Sequence, residues 1–556
     1  MRKAPTGSIV FSLADAVVLP RPPKLLSYLL RSTYRQRGFS ERIIVMSQLG
    51  CFLRRLFAVA LLSGAALWAS ATESDICSGP CFTNATTSAG FQNLENYGGH
   101  GIQVVDVNGD GWLDVYVTHI ADPTENRPDL LLVNEGQNPP RFTEIAAEAG
   151  VSDDGFFQGV SEESHAAVFA DLDNDGDYDL FNAHTWNGHN RIYRNDGTGR
   201  FTDLTESAGI EVTDLGSRGV SAADLNGDGL LDLVVSAWQG AQPIVYWNRG
   251  GMRFERQRLH GVDNRPFANQ GIATADFDGD GRPDLALTAY EFLENGGLGP
   301  IALLKNQTER FVDMTDFAGV SYEQRSRDAG GSNGVTFADF DTDGMMDVLI
   351  SGAHGSKLYR NVGEGRFHLV RRFDGIRYTG VFGDADNDGD LDLYLAGENG
   401  IHLNDGSGGF SCRGGIGLEG IGTDARSAVF ADVNNDGALD LFVASKYGPN
   451  TFFLNQAQSP GWLKVTLVGP QGTAGAFGAK VALYEAGHAG ESEFLLGFRE
   501  ARAGTGYCSQ DAPVLHFGVG DVALVDVVVT FQGGASVTRA GVAPAQALSI
   551  DARGGP

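Results

Sequence analysis

Seven stretches of this sequence share the nine-residue pattern D-x-[DN]-x-D-G-x-x-D, and each concentrates enough oxygen donors to hold a hard cation. The first comprises Asp106, Asn108, Asp110 and Asp114; the second Asp171, Asp173, Asp175 and Asp179; the third Asp224, Asn226, Asp228 and Asp232. The fourth is Asp276, Asp278, Asp280 and Asp284, and the fifth Asp339, Asp341, Asp343 and Asp347. The sixth is Asp384, Asp386, Asp388 and Asp392, and the seventh Asp432, Asn434, Asp436 and Asp440. Carboxylates packed this closely repel one another unless a cation lies among them. Ca²⁺ accepts roughly six to eight oxygens at flexible geometry; Mg²⁺ demands a rigid octahedron and Zn²⁺ prefers His and Cys. The expectation is therefore up to seven calcium ions, one per loop. Side chains at positions one, three and five converge, position seven offers its carbonyl, and the Asp at position nine closes the shell. Gly at position six lets the chain reverse. Asn at position three makes loops one, three and seven less charged. An EF-hand is excluded, because the last acid comes too early and strands flank the loop.

The elements that position these loops follow from their flanks. Small and apolar residues precede each loop, as in Ala166-Ala167-Val168-Phe169-Ala170, and apolar/polar alternation follows, as at Leu113, Val115 and Val117. Strands on both sides make each loop the turn of a β-hairpin. A second hairpin follows in most units, as in 190–195 and 200–205 around Asp196-Gly197-Thr198-Gly199. Seven four-stranded units predict an all-β fold, a seven-bladed β-propeller over 89–457. The seventh unit lacks a fourth strand, and the segment around Phe91-Gln92-Asn93-Leu94 is expected to supply it and close the ring. Residues 460–552 carry further alternating runs, at Trp462 to Val468, Lys480 to Tyr484 and Val525 to Phe531, and read as a small β-sandwich.

The chain has 556 residues and a formal net charge of −29, which makes nucleic acid an improbable partner. Residues 1–71 run against that charge, with ten Lys or Arg and two acids. Within them, Met46, Arg54-Arg55, the apolar run Leu56 to Trp68 and Ala69-Ser70-Ala71 read as a signal peptide cleaved after Ala71. Residues 72–88 then form a linker. The expected location is secreted, periplasmic or cell-surface, with no stable membrane span after cleavage. Cys77 and Cys81 are close enough in sequence for an oxidised pair, while nothing indicates whether Cys412 and Cys508 meet.

The seven loops resemble the FG-GAP/VCBS repeats of integrin-type propellers. The tail resembles the ASPIC/UnbV domain through Gly475-Ala476-Phe477-Gly478-Ala479-Lys480-Val481, Gly504-Thr505-Gly506-Tyr507-Cys508-Ser509-Gln510 and His516-Phe517-Gly518-Val519-Gly520. Together they are similar to the cartilage acidic protein family. Phe477 and the turn Phe531-Gln532-Gly533-Gly534 depart from its usual pattern. The resemblance implies calcium-dependent structure and an extracellular binding role.

Rigid scaffolds present function on their long connections. Just after the second strand of successive blades lie His119, His184, Trp186, Trp238, Tyr290, His354, Glu398 and Lys446, which should ring the channel mouth opposite the calcium loops. Arg218, Arg325, Arg327, Arg377 and Arg426 lie beside them. Such a mouth suits an acidic or sugar-like ligand, and the partners expected are an extracellular protein or glycan. The alternative is a carbohydrate lyase or dehydratase, with His119, His184 or His354 as base. A matrix protein that nucleates mineral fits the charge alone. His516 reads as structural within its Gly-rich turn.

Overall fold

The computed structural model describes residues 79–554 except 92–97, 120–127, 153–155, 158–159, 162, 186–188, 211–215, 238–241, 262–268, 290–300, 321–330, 354, 376, 422–423 and 458–460. Its regular elements are almost all strands. The alternating runs pair into seven antiparallel four-stranded sheets, six of them hydrogen-bonded in sequence order from the channel outwards and the seventh with its outer strand drawn from the N-terminal side. The first strands of the sheets are Gly99–Val105, Glu163–Ala170, Ser217–Ala223, Asn269–Ala275, Ser332–Ala338, Gly380–Gly383 and Ala425–Ala431. Each touches the next, and the last touches the first, so the sheets form a closed seven-bladed propeller. Because strand side chains alternate between faces, each blade feeds two apolar seams. Leu225, Val234 and Trp247 of blade three meet Ile272, Leu285 and Leu304 of blade four in one buried cluster. Equivalent clusters fill the other seams, including the closing one, where Val429 and Phe442 meet Val104 and Val115.

The fourth strand of blade seven is Phe82–Asn84; of the segment expected there, only Phe91 is described, and Gln92, Asn93 and Leu94 lie outside the described residues. Phe82–Asn84 pairs antiparallel with Thr451–Asn455, Phe82 opposite Asn455. Residues expected as linker therefore complete blade seven. Phe91 is apolar for another reason: it packs in the seam between blades seven and one, 5.1 Å from Phe142 and 5.7 Å from Phe452.

A second device joins the blades. The third strand of every blade ends in Asn or, in blade six, is followed directly by one: Asn134, Asn195, Asn248, Asn306, Asn361, Asn404 and Asn455. Each is buried, and its main-chain N–H donates to the position-nine Asp of its own loop. Each side-chain amide also donates twice. One bond goes to the carbonyl at position eight of its own loop, as from Asn248 to Leu231 at 3.1 Å. The other crosses to the carbonyl at position two of the preceding blade's loop, at 2.7–2.8 Å in blades one to six and 2.9 Å in blade seven.

The tail is a sandwich of two sheets. One orders Val514–Gly518, Trp462–Val468 and Gln546–Asp551; the other Leu495–Glu500, Lys480–Glu485, Val525–Thr530 and Ser536–Val542. Leu463, Val465, Val481, Val527 and Val529 form its core, which is continuous with the seam between blades two and three.

From this sandwich, residues 503–510 enter the propeller channel. Gly506 exchanges backbone hydrogen bonds with Val335, Ala503 accepts from Ala222 N–H, and Gln510 N–H donates to Ile102. The Gln510 side chain meets both backbone groups of Phe169: its Oε1 accepts from the N–H at 2.7 Å and its Nε2 donates to the carbonyl at 2.8 Å. Close approach requires glycine on the strands that receive the segment; a Cβ at Gly101 would lie 2.3 Å from the Cys508 carbonyl. Gln510→Ala leaves two buried backbone groups unpaired, at about 1–3 kcal/mol each. A clear fall in melting temperature is expected; an unchanged one would show that the channel segment does not bind the domains together.

Candidate functional site

The aspartate loops have one geometry throughout. Gly at position six has φ between 83° and 106°, the left-handed region that lets the chain turn back without a Cβ clash. The position-one carboxylate receives that glycine's N–H at 2.7–3.0 Å in all seven loops. The position-five carboxylate receives the position-seven N–H at 2.9–3.2 Å.

In loops two, four, five and six, one oxygen from each of positions one, three and nine lies within 4.8 Å of the others: Asp171, Asp173 and Asp179; Asp276, Asp278 and Asp284; Asp339, Asp341 and Asp347; Asp384, Asp386 and Asp392. Position nine therefore belongs to the converging set from the start, while position five turns its Oδ1 to the backbone. In loops one, three and seven the position-three amide of Asn108, Asn226 or Asn434 donates to the position-five carboxylate at 2.7–3.0 Å.

The four convergent loops also hold carboxylate oxygens that nothing satisfies. Asp173, Asp341 and Asp386 each bury an Oδ1 without a hydrogen-bond partner, and Asp284 buries an Oδ2. A basic residue just before the third-strand Asn leans on three of these loops: Arg194 on Asp173 at 3.0 Å, Lys305 on Asp278, and Arg360 on Asp341 at 2.5 Å. Loop four meets two further bases, Arg282 at Asp280 and Lys480 at Asp276, and in each of the three loops the four acids still outnumber the bases. Burial pushes the position-nine carboxyls far up, to about 7 for Asp114 and Asp232, about 8 for Asp179 and about 9 for Asp284, Asp347 and Asp392. These acidic groups have the donor set and the unmet charge to hold metal ions.

The tail sandwich sits on this loop face. Lys464 donates to Asp432 at 2.8 Å, Lys480 pairs with Asp276, and Ala474 N–H donates to Asp171 at 2.9 Å. His516 Nε2 lies 3.0 Å from the Gly437 carbonyl, so its structural role is to hold loop seven. A cavity of about 470 Å³ remains between the sandwich and the loops, lined by the position-one residues Asp106, Asp339, Asp384 and Asp432 together with Arg499 and Arg502.

At the opposite channel end the described histidines that meet are not those expected, while Arg218 and Arg426 lie near them. Trp186, Trp238, Tyr290, His354, Arg325 and Arg327 lie outside the described residues. His119 ends its second strand and His184 is the penultimate residue of its own, one layer back from the channel; His184 Nε2 lies 3.1 Å from Ser164 Oγ. Lys446 lies 5.1 Å from the Tyr447 ring. Histidines at the starts of first strands converge instead. The His100 and His165 rings stand 4.2 Å apart, edge to face. His165 Nδ1 is 3.0 Å from the Arg218 carbonyl and 3.1 Å from Cys508 Sγ, and its Nε2 is 3.2 Å from Tyr507 Oη. Nδ1 therefore carries the hydrogen and Tyr507 donates to Nε2. Burial, followed by Arg218, holds His165 neutral; burial, followed by His165, holds His100 neutral. Arg426 lies 3.7 Å over the Tyr378 ring, which in turn packs on Tyr507. Position in the strand was the available signal: the first strand lines the channel.

Residues 171–235, 234–287, 339–395 and 384–443 match the FG-GAP-like repeat, and 469–555 match the domain described as ASPIC and UnbV. The chain is thus an FG-GAP-repeat β-propeller that carries an ASPIC/UnbV domain. It shows homology to cartilage acidic protein 1: it is 26% identical to the Homo sapiens and Mus musculus proteins over 275 residues, 47% of this chain and 38% and 39% of theirs. The chain spans about two fifths of the length of these curated relatives. Among solved structures, an Agrocybe aegerita lectin described for specific recognition of non-reducing terminal N-acetylglucosamine is 20% identical, covering 65% of this chain and 86% of that one, with a TM-score of 0.42. The Dos1 propeller is 8% identical, covering 65% and 93%, with a TM-score of 0.38. Among the described residues no helix is long and apolar enough to cross a membrane.

Proposed function

We propose that this protein is an exported, calcium-loaded propeller that serves as an extracellular binding module. The carrying observation is the convergence of positions one, three and nine in loops two, four, five and six, each with a buried carboxylate oxygen that has no donor. Oxygens alone, in loops that keep excess negative charge, suit Ca²⁺ better than Zn²⁺. When bound, calcium supplies the positive charge that lets buried aspartates remain ionised. Loops one, three and seven would hold it more weakly, because Asn replaces one carboxylate. The leader-like residues 54–71 support export.

The ligand face is the channel end away from the loops, where Arg426, Tyr378 and Arg218 gather beside His100 and Lys446. Guanidinium and aromatic groups together suit an acidic protein segment or a glycan carrying a carboxylate. The lyase reading needs a base open to substrate, whereas the two converging histidines are buried at 3% and 0% exposure.

Calorimetric titration of calcium into demetallated protein should show about four tight sites and weaker ones beyond. A stoichiometry near zero ends the metal assignment. A glycan array on the loaded protein should give a signal that Arg426→Ala abolishes; a blank array shifts the reading to protein partners.

A further inference from the structure

Among the described residues, and away from the aspartate loops, one set of mixed donors converges in blade six. Glu398 lies in the turn between the second and third strands, His402 on the third strand (Gly400–Leu403), and Cys412 on the outer strand (Ser411–Gly414). One donor atom of each lies within 4.8 Å of the other two. His402 and Cys412 are directly opposed across the antiparallel pair, so their side chains leave the sheet on the same face.

The local chemistry is arranged around Glu398. Its Oε2 lies 2.8 Å from His402 Nε2, and its Oε1 accepts from Arg377 Nη2 at 2.6 Å. Phe373 packs edge to face on the His402 ring at 4.9 Å. His402 Nδ1 is buried and has no hydrogen-bond partner. The contact with Glu398 alone therefore decides which ring nitrogen carries the hydrogen. That hydrogen can move to Nδ1 at the loss of no other bond. Cys412 is exposed, so the set opens to solvent on its thiol side.

We propose that Glu398, His402 and Cys412 form a site for a borderline-soft divalent cation of the zinc class, with the fourth position open to solvent. Carboxylate, imidazole and thiolate together are donors that Zn²⁺ accepts and that Ca²⁺ does not select. Zinc holds such donors at about 2.0–2.3 Å, which places them roughly 3.3–3.8 Å from one another. The present spacing needs a shift of about an ångström or less. Loading inserts the cation between Glu398 and His402, moves the ring hydrogen to Nδ1 and releases the thiol proton. Arg377 keeps the other carboxylate oxygen and so orients the ligand, as outer partners in metal sites do. This site is independent of the calcium loops.

The test uses the full chain, saturated with calcium and kept reduced, with Co²⁺ as the probe. Visible ligand-field bands and a near-ultraviolet thiolate-to-cobalt charge-transfer band should saturate at about one equivalent and disappear when Zn²⁺ is added. Cys412→Ser should abolish the charge-transfer band, His402→Gln should weaken cobalt binding at least about tenfold, and Cys508→Ser should leave the band intact. Cys412 is exposed, so its variant should melt like the parent and remain interpretable. The proposal is overturned if no charge-transfer band forms, if the band survives in Cys412→Ser, or if Cys412 in the folded, reduced protein fails to react with a thiol reagent.

Discussion

Demetallated protein should melt well below the calcium-loaded protein, and the gap should widen as pH rises. Without a cation, burial raises the position-nine carboxyls to about 7 at Asp114 and Asp232 and about 9 at Asp284, Asp347 and Asp392. In the unfolded chain a carboxyl titrates near about 3.9. A folded-state pKa above the unfolded one means the folded state binds the extra proton. The stability it contributes is fully present below about pH 4 and is lost as pH climbs through about 7 to 9. The metal-free melting temperature should therefore fall from pH 5.5 to pH 8.5. A bound cation takes the place of those protons, so the loaded protein should vary little over the same range. Each site occupied at a free calcium concentration about 100-fold above its dissociation constant adds about 2.7 kcal/mol. Four such sites add about 10 kcal/mol, or roughly 10–20 °C in a core of this size. Scanning calorimetry at both pH values, with and without calcium, measures the gap. An equal gap at both would mean that the aspartates do not exchange protons for metal.

What could be read in advance was local. The loop pattern, the strands beside it and the blade number all fall within windows of a few tens of residues. The closing strand does not. Phe82–Asn84 has only three residues, and its partner, Asn455, is more than 370 positions away. Beside so weak a signal, the segment around Phe91, which precedes the first loop and had no other evident partner, looked like the better strand, although the Phe91 side chain fills a seam. The tail posed a related problem. Gly504 to Gln510 stood out as a motif, but its hydrogen bonds go to Phe169, Val335 and Ile102. Those residues belong to three different blades, and no window around the motif contains them. Among the described histidines near the channel mouth, those that converge lie on first strands rather than on the second strands where they were sought. Second-strand His119 and His184 are buried one strand back, while His100 and His165, on the first strands of adjacent blades, meet edge to face.

The third-strand asparagines were visible as letters yet easily mistaken for turn residues, and replacing one should be costly. Asn248 has no solvent exposure. Its amide donates to Leu172 of blade two at 2.7 Å and to Leu231 of its own blade at 3.1 Å, and its carbonyl accepts from Gly250 N–H at 2.9 Å. Asn248→Ala keeps the main-chain bond to Asp232 but strands two carbonyls where water cannot easily replace the amide. At about 1–3 kcal/mol for each buried group, the loss is roughly 2–6 kcal/mol. Asn248→Asp is the sharper probe, because it keeps the shape and turns a donor into an oxygen aimed at two carbonyl oxygens. Only its protonated form can donate, so its folded-state pKa must rise. The variant should therefore come closest to the parent at low pH and fall further behind as pH increases through the neutral range. Hydrogen exchange should show the damage on both sides of the seam, in blade two around Leu172 as well as in blade three. If Asn248→Ala and its counterpart Asn306→Ala each cost under about 0.5 kcal/mol, within the range of ordinary surface changes, then apolar packing alone holds neighbouring blades together. A large cost confined to blade three would mean that the bond across the seam contributes little and the one within the blade does the holding.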